Sequence, residues 1–110
     1  MQSKKDLLDL AMSMDTQWNY ESFYRFAQNY VFHLSQQNAE DTSSFFDCVR
    51  YCGNNLNAAK TRMGISGNQT ERLRRWSSYI NGEKRLTNLS AFELNYVLAC
   101  CARLCKAKQG

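Results

Sequence analysis

The sequence predicts an all-α protein folded as a single domain of about five to six helices, at the length expected of one domain. Three observations predict it. There is no proline and there are only five glycines, so the punctuation that strand-and-turn folds rely on is missing. Apolar residues recur at three- and four-residue spacing along most of the chain. Hydrophobic residues make up 44 % of the 110 and aromatics 13 %, enough to bury a core without staples.

A first helix is expected over Ser3 to Met14, with Leu7, Leu8, Ala11 and Met14 on one face and Ser3 as N-cap. Asn19 is placed to cap a second helix, about Tyr20 to Gln37. There Tyr20, Phe23, Tyr24, Ala27, Tyr30, Val31 and Leu34 form the inner stripe. Phe26 and Phe32 fall off that stripe, so this helix is apolar over more than half its circumference and suits a central or shared position. A polar turn at Gln36 to Asp41 leads to a third helix, about Thr42 to Tyr51, with Phe45, Phe46, Val49 and Cys52 inward and Gly53 as its stop. A short helix Leu56 to Met63 follows, capped by Asn54 or Asn55 and ended by Gly64. The turn Ile65–Asn68 precedes a longer helix, about Gln69 to Ile80, closed by Asn81-Gly82. A loop from Glu83 to Thr87 and a final helix, about Leu89 to Lys106, complete the chain, with a frayed tail to Gly110.

Charge is divided unevenly. Residues 1–59 carry four basic and seven acidic side chains, whereas residues 60–110 carry ten basic and three acidic ones. That asymmetry points the second part toward a polyanion. The five cysteines, in a chain with no evident export signal, read as small core residues; Cys48/Cys52 and Cys101/Cys105 have helical spacing, not the knuckle spacing of structural zinc. No metal site or cofactor is expected. A single histidine, His33, no convincing acidic pair and no glycine-rich phosphate loop argue against an enzyme. No apolar run approaches the roughly 18 residues of a membrane span, and Met1 to Asp6 lacks a signal-peptide core, so a cytoplasmic protein is expected.

A short helix, a glycine-containing turn and a longer basic helix give the order a helix-turn-helix requires. In the 69–80 helix Leu73, Trp76 and Ile80 turn inward, while Arg74, Arg75 and Ser78 turn outward beside Glu71. The stretch Trp76-Ser-Ser-Tyr-Ile-Asn-Gly-Glu-Lys-Arg-Leu-Thr87, with the apolar helix after it, resembles the second half of a lambda-repressor-like helix-turn-helix domain. Ala59-Lys-Thr-Arg-Met-Gly-Ile-Ser66 resembles its first half. Gly64 and Gly82 lie 18 residues apart, wider than the family's usual spacing, so either the recognition helix is longer or the bracing helix lies elsewhere. The resemblance implies a bacterial or phage transcriptional regulator that binds double-stranded DNA as a homodimer. The expected DNA-binding residues are Asn68, Gln69, Thr70, Arg72, Arg74, Arg75, Ser78, Lys84 and Arg85, with Gln69 suited to adenine and the arginines to guanine or phosphate. Residues 1–53 are expected to supply core and dimerisation, with Phe23, Phe26, Tyr30 and Phe32 as dimer or partner surface, and residues 54–110 to bind DNA, within one compact unit. The alternative is a protein-interaction module, such as an adaptor, an anti-repressor or an inhibitor of a larger regulator, acting through those aromatic N-terminal helices.

Overall fold

Every regular element is helical in the computed structural model, which describes residues 3–37 and 41–108. Seven α-helices follow in order among the described residues: α1 Lys4–Ser13, α2 Glu21–Gln36, α3 Ser43–Asn54, α4 Leu56–Met63, α5 Thr70–Gly82, α6 Lys84–Thr87 and α7 Ala91–Ala107. Single 3-10 turns at Trp18–Tyr20 and Gly67–Gln69 lead into α2 and α5. The heart of the Gln36–Asp41 turn and the end of the tail lie outside the described residues.

Local capping chemistry sets most of the boundaries. Ser3 Oγ accepts the Asp6 N–H at 3.2 Å and starts α1. Asn55 Oδ1 accepts the Ala58 N–H at 2.9 Å and starts α4, which ends where Gly64 turns left-handed at φ 66°. Asn19 does not cap α2; it lies inside the 3-10 turn, with its Oδ1 buried. The final helix begins two residues later than expected because Ser90 and Glu93 form a reciprocal capping box, each side chain meeting the other's backbone N–H at 3.1 Å. The segment expected as a loop after Gly82 closes one helical turn, α6, behind Glu83, whose carboxylate accepts the Arg85 N–H.

Gly53 is not the stop of α3. The helix continues through it, and its bare Cα faces Ser77 of α5, where a Cβ would meet the Ser77 Oγ at 2.4 Å and Cβ at 2.6 Å. Close approach of the two helices is what a hydrogen atom permits here and a methyl group does not. Ser77 seals the crossing by donating its hydroxyl to the Val49 carbonyl at 2.9 Å.

Helix α2 packs along α7, α1 packs on the same α7, and α3 packs against α5. At the centre Trp76 of α5 is fully buried, its ring 5.7 Å from Phe23 and 5.5 Å, edge-on, from Tyr24. The Tyr24 hydroxyl donates to the Asp15 carbonyl at 2.7 Å, and the Asp15 N–H donates to the Tyr79 hydroxyl at 2.9 Å. Asp15, in the α1–α2 connection, is thereby clamped through its two flanking peptides between α2 and α5. Residues 1–53 and 54–110 interlock in one core and do not form two layers.

That interlocking corrects the reading of the α2 aromatics. Phe23 is fully buried against Trp76 and serves the core, so it is no partner surface. Tyr30 is half-buried, its ring 5.9 Å from Phe45. Phe26 is half-buried, and only Phe32, 43 % exposed, stands at the surface. On α1 the inner face uses Leu10 where Leu8 was expected. The cysteines behave as core residues: Cys52, Cys100, Cys101 and Cys105 are buried and Cys48 is half-buried. Among the described residues no helix is long and apolar enough to cross a membrane.

Candidate nucleic-acid interface

Helix α5 is amphipathic in the sense the sequence predicts. Leu73, Trp76, Ser77 and Ile80 are buried, which fixes the helix by one face, and Glu71, Arg74, Arg75 and Ser78 are exposed on the other. Glu71 stands between the two arginines, with Arg74 Nη1 at 3.2 Å and Arg75 Nε at 3.6 Å from its carboxylate oxygens. All three side chains are more than half exposed, so these ion pairs are screened and cheap to exchange.

The start of the helix is arranged differently from the expectation. Gln69 is not free to read adenine: its Oε1 accepts the Ser66 N–H at 2.9 Å and closes a capping box over the 3-10 turn. The Ser66 hydroxyl also bonds Asn68 Oδ1, and Thr70 Oγ1 donates to the Gly67 carbonyl at 2.8 Å. Asn68, Gln69 and Thr70 thus spend their side chains on starting α5. Arg72 is half-buried on the flank of the helix.

The remaining basic residues do not gather on one face. Arg62 of α4 lies over the Tyr51 ring, 5.0 Å from its centroid, and points a guanidinium N–H at Cys48 Sγ, 3.9 Å away. Lys60 and Lys84 are exposed. Arg85 is held by both carboxylate oxygens of Glu83 at 2.9 Å and donates to Ser13 Oγ at 3.0 Å, at a cleft it shares with Asp6 and Asp9. Its guanidinium holds the Glu83 carboxyl below the usual carboxylate range. Arg85 therefore belongs to the acidic end of the molecule. The charge of Arg75 acts instead on Tyr20, where it partly opposes the rise that burial and Asp15 impose on the phenol.

One basic residue in this region escaped the sequence reading. Arg50 of α3 sits with Arg74 on a groove of about 350 Å³ between α3 and α5, lined also by Asn54, Ser78 and Asn81 over a floor of Gly53 and Ser77. Its position in the acidic half hid it. The signal available was its i, i+4 spacing to Asn54 on the flank that carries Gly53.

Comparison with protein families, with curated proteins and with solved structures returned no match. The fold's own geometry is therefore what bears on function. Helices α4 and α5 follow each other in helix-turn-helix order, but α5 packs chiefly on α3. Among the described residues no group of three histidine, cysteine or acidic side chains is placed to hold a metal ion.

Proposed function

We propose that the protein is a sequence-specific DNA-binding regulator that lays the exposed face of α5 in the major groove of a duplex. The observation that carries this reading is the pair Arg74 and Arg75, with Ser78, on the solvent face of a helix whose other face is locked into the core by Leu73, Trp76 and Ile80. A rigid helix presenting two forked cations matches phosphate oxygens and guanine edges alike, and the backbone that carries them needs no ordering at the moment of binding. On DNA, Glu71 gives up both arginines to the duplex, and its carboxylate is left to accept from a cytosine amino group. Phe32 and the half-buried Phe26 are the α2 aromatics left for a second copy of the chain.

The test is an electrophoretic shift on the protein's own promoter region at two salt concentrations, beside the Arg74→Ala/Arg75→Ala variant. Affinity is expected to fall steeply with salt, and the variant to lose most of the shift along with about two units of log-log salt slope. Absence of a salt-sensitive, sequence-preferring shift overturns the reading.

A second reading, a protein-interaction module such as an adaptor or anti-repressor, is favoured by a different observation. Met12 and Trp18 in the acidic half stay 64 % and 55 % exposed, with Leu8 one turn before Met12. Full activity of the double arginine variant in cells supports that reading over the first.

A further inference from the structure

The groove between α3 and α5 is built from both halves of the sequence, and none of the residues α3 contributes to it figured among the expected contacts. The two helices run antiparallel: Cys52–Asn54 share a lining with Thr70–Arg74, while Arg50 shares one with Asn81. Gly53 and Ser77 bring the backbones together, so the floor is small and polar and the walls rise on either side. Arg50 and Asn54 stand on one wall, Arg74, Ser78 and Asn81 on the other.

We propose that this groove seats one phosphodiester group of the DNA backbone, gripped by the guanidinium groups of Arg50 and Arg74. The inference rests on the DNA-binding reading and extends it to α3, which then acts as the second wall of the contact. Two guanidinium forks on different helices surround a tetrahedral oxyanion better than either does alone, and Arg is the side chain matched to that geometry. The amide of Asn81 spends one donor on the Ser77 carbonyl at 3.0 Å and retains a second for an oxyanion; the Asn54 amide and the Ser78 hydroxyl supply further donors. The present partners of the two arginines are weak competitors. Arg50 Nη1 lies 3.1 Å from Asp47 and Arg74 Nη1 lies 3.2 Å from Glu71, in pairs that are more than half exposed on both sides. Such pairs exchange readily for a doubly hydrogen-bonded phosphate. A phosphate held here also lies beside Ser78 on α5, so one contact fixes how the helix is turned relative to the duplex.

The experiment compares wild type, Arg50→Gln, Arg74→Gln and the double variant on a promoter duplex and on an unrelated duplex, at several salt concentrations. Both substituted side chains are solvent-exposed, and matching melting curves confirm that the variants fold. Arg50→Gln is expected to weaken both duplexes equally and to lower the log-log salt slope by about one, as loss of a single phosphate contact does. The double variant is expected to lose less than the product of the two single losses, because both arginines hold the same group. If Arg50→Gln binds like wild type while Arg74→Ala/Arg75→Ala does not, the groove is excluded and the α5 reading survives. If wild type shows no salt-sensitive binding, both fall. Titration with inorganic phosphate, followed through the side-chain amide signals of Asn54 and Asn81, separates the sources. Shifts with phosphate but no duplex binding identify a free-anion site and overturn the phosphodiester assignment.

Discussion

Replacing Gly53 by alanine is a stringent test of the packing that builds the groove. Inside a helix, alanine is favoured over glycine by about 1 kcal/mol, so a Gly53 that merely continued α3 would be improved by the change. The structure predicts the opposite sign. The new methyl would stand 2.4 Å from Ser77 Oγ and 2.6 Å from Ser77 Cβ, atoms of a side chain only 4 % exposed that has nowhere to retreat. Overpacking of that kind costs about 1–3 kcal/mol. Moving α3 and α5 apart also stretches the 2.9 Å bond from Ser77 to Val49, a loss of about 1 kcal/mol that offsets the helix-propensity gain. The expected net loss is about 1–3 kcal/mol, a fall in Tm of roughly 4 °C or more for a domain of this size. Urea titration followed by helical circular dichroism reads it. A Gly53→Ala/Ser77→Gly double variant removes the obstructing side chain and is expected to recover more than additivity allows. A Gly53→Ala protein as stable as wild type, or more so, refutes the account of the α3–α5 crossing.

Gly64→Ala is expected to destabilise for a different reason. Nothing lies within 4 Å of its would-be Cβ, but its φ of 66° costs an L-residue roughly 1–2 kcal/mol, so a lowered urea midpoint with unchanged m-value is the signature. Burial pushes the Cys52 and Cys105 thiols up to about 11 from an ordinary 9.0, and Cys101 higher still, with neighbouring thiols adding to the effect at Cys52 and Cys101. At pH 8 a thiol reagent is therefore expected to label the half-buried Cys48 quickly and the other four only on unfolding. The same raised values make stability complete below pH 9 and progressively lost as pH rises toward 11, because only the unfolded chain ionises there. Rapid labelling of more than one thiol, or a flat alkaline limb, contradicts the buried placement.

What was legible in the sequence was what depends on neighbours along the chain. The caps at Ser3 and Asn55 and the left-handed Gly64 are local hydrogen-bonding and backbone choices, and each stands where its residue type predicts. The inner face of α5 was legible because 3.6-residue periodicity states it outright. Tertiary contact decided the rest. Gly53 carries the same local signal as Gly64, yet Ser77, 24 residues on, turns it from a stop into a crossing point. The aromatic excess of α2 read as a partner surface because periodicity does not reveal that α5 and α7 cover Phe23 and its neighbours from two sides. Gln69 offered both a base-reading amide and the third position of a capping box after Ser66, and the nearer partner took it.

The charge pattern needs the same correction, and for the proposed DNA binding it narrows where a duplex would lie. In sequence the basic run extends from Lys60 to Arg85, which suggests one continuous strip. In space it is cut. Beyond Arg50 and Asn81 the surface opens into a cleft of about 590 Å³ that Asp41 and Asp47 line, and the Asp41 carboxyl is held below its ordinary range by the Ser43 N–H at 2.8 Å. Arg85 lies farther on, already neutralised by Glu83 beside Asp6 and Asp9. A phosphate backbone following α5 toward its C-terminus would run into these carboxylates, whose repulsion is not compensated by any cation beyond Arg50 on the cleft's lining. If the protein binds DNA as proposed, the backbone would be steered instead toward the N-terminal part of α5, across Arg74 and Arg75. On that proposal Arg50 would mark the edge of the footprint, and Arg85 would fall outside it.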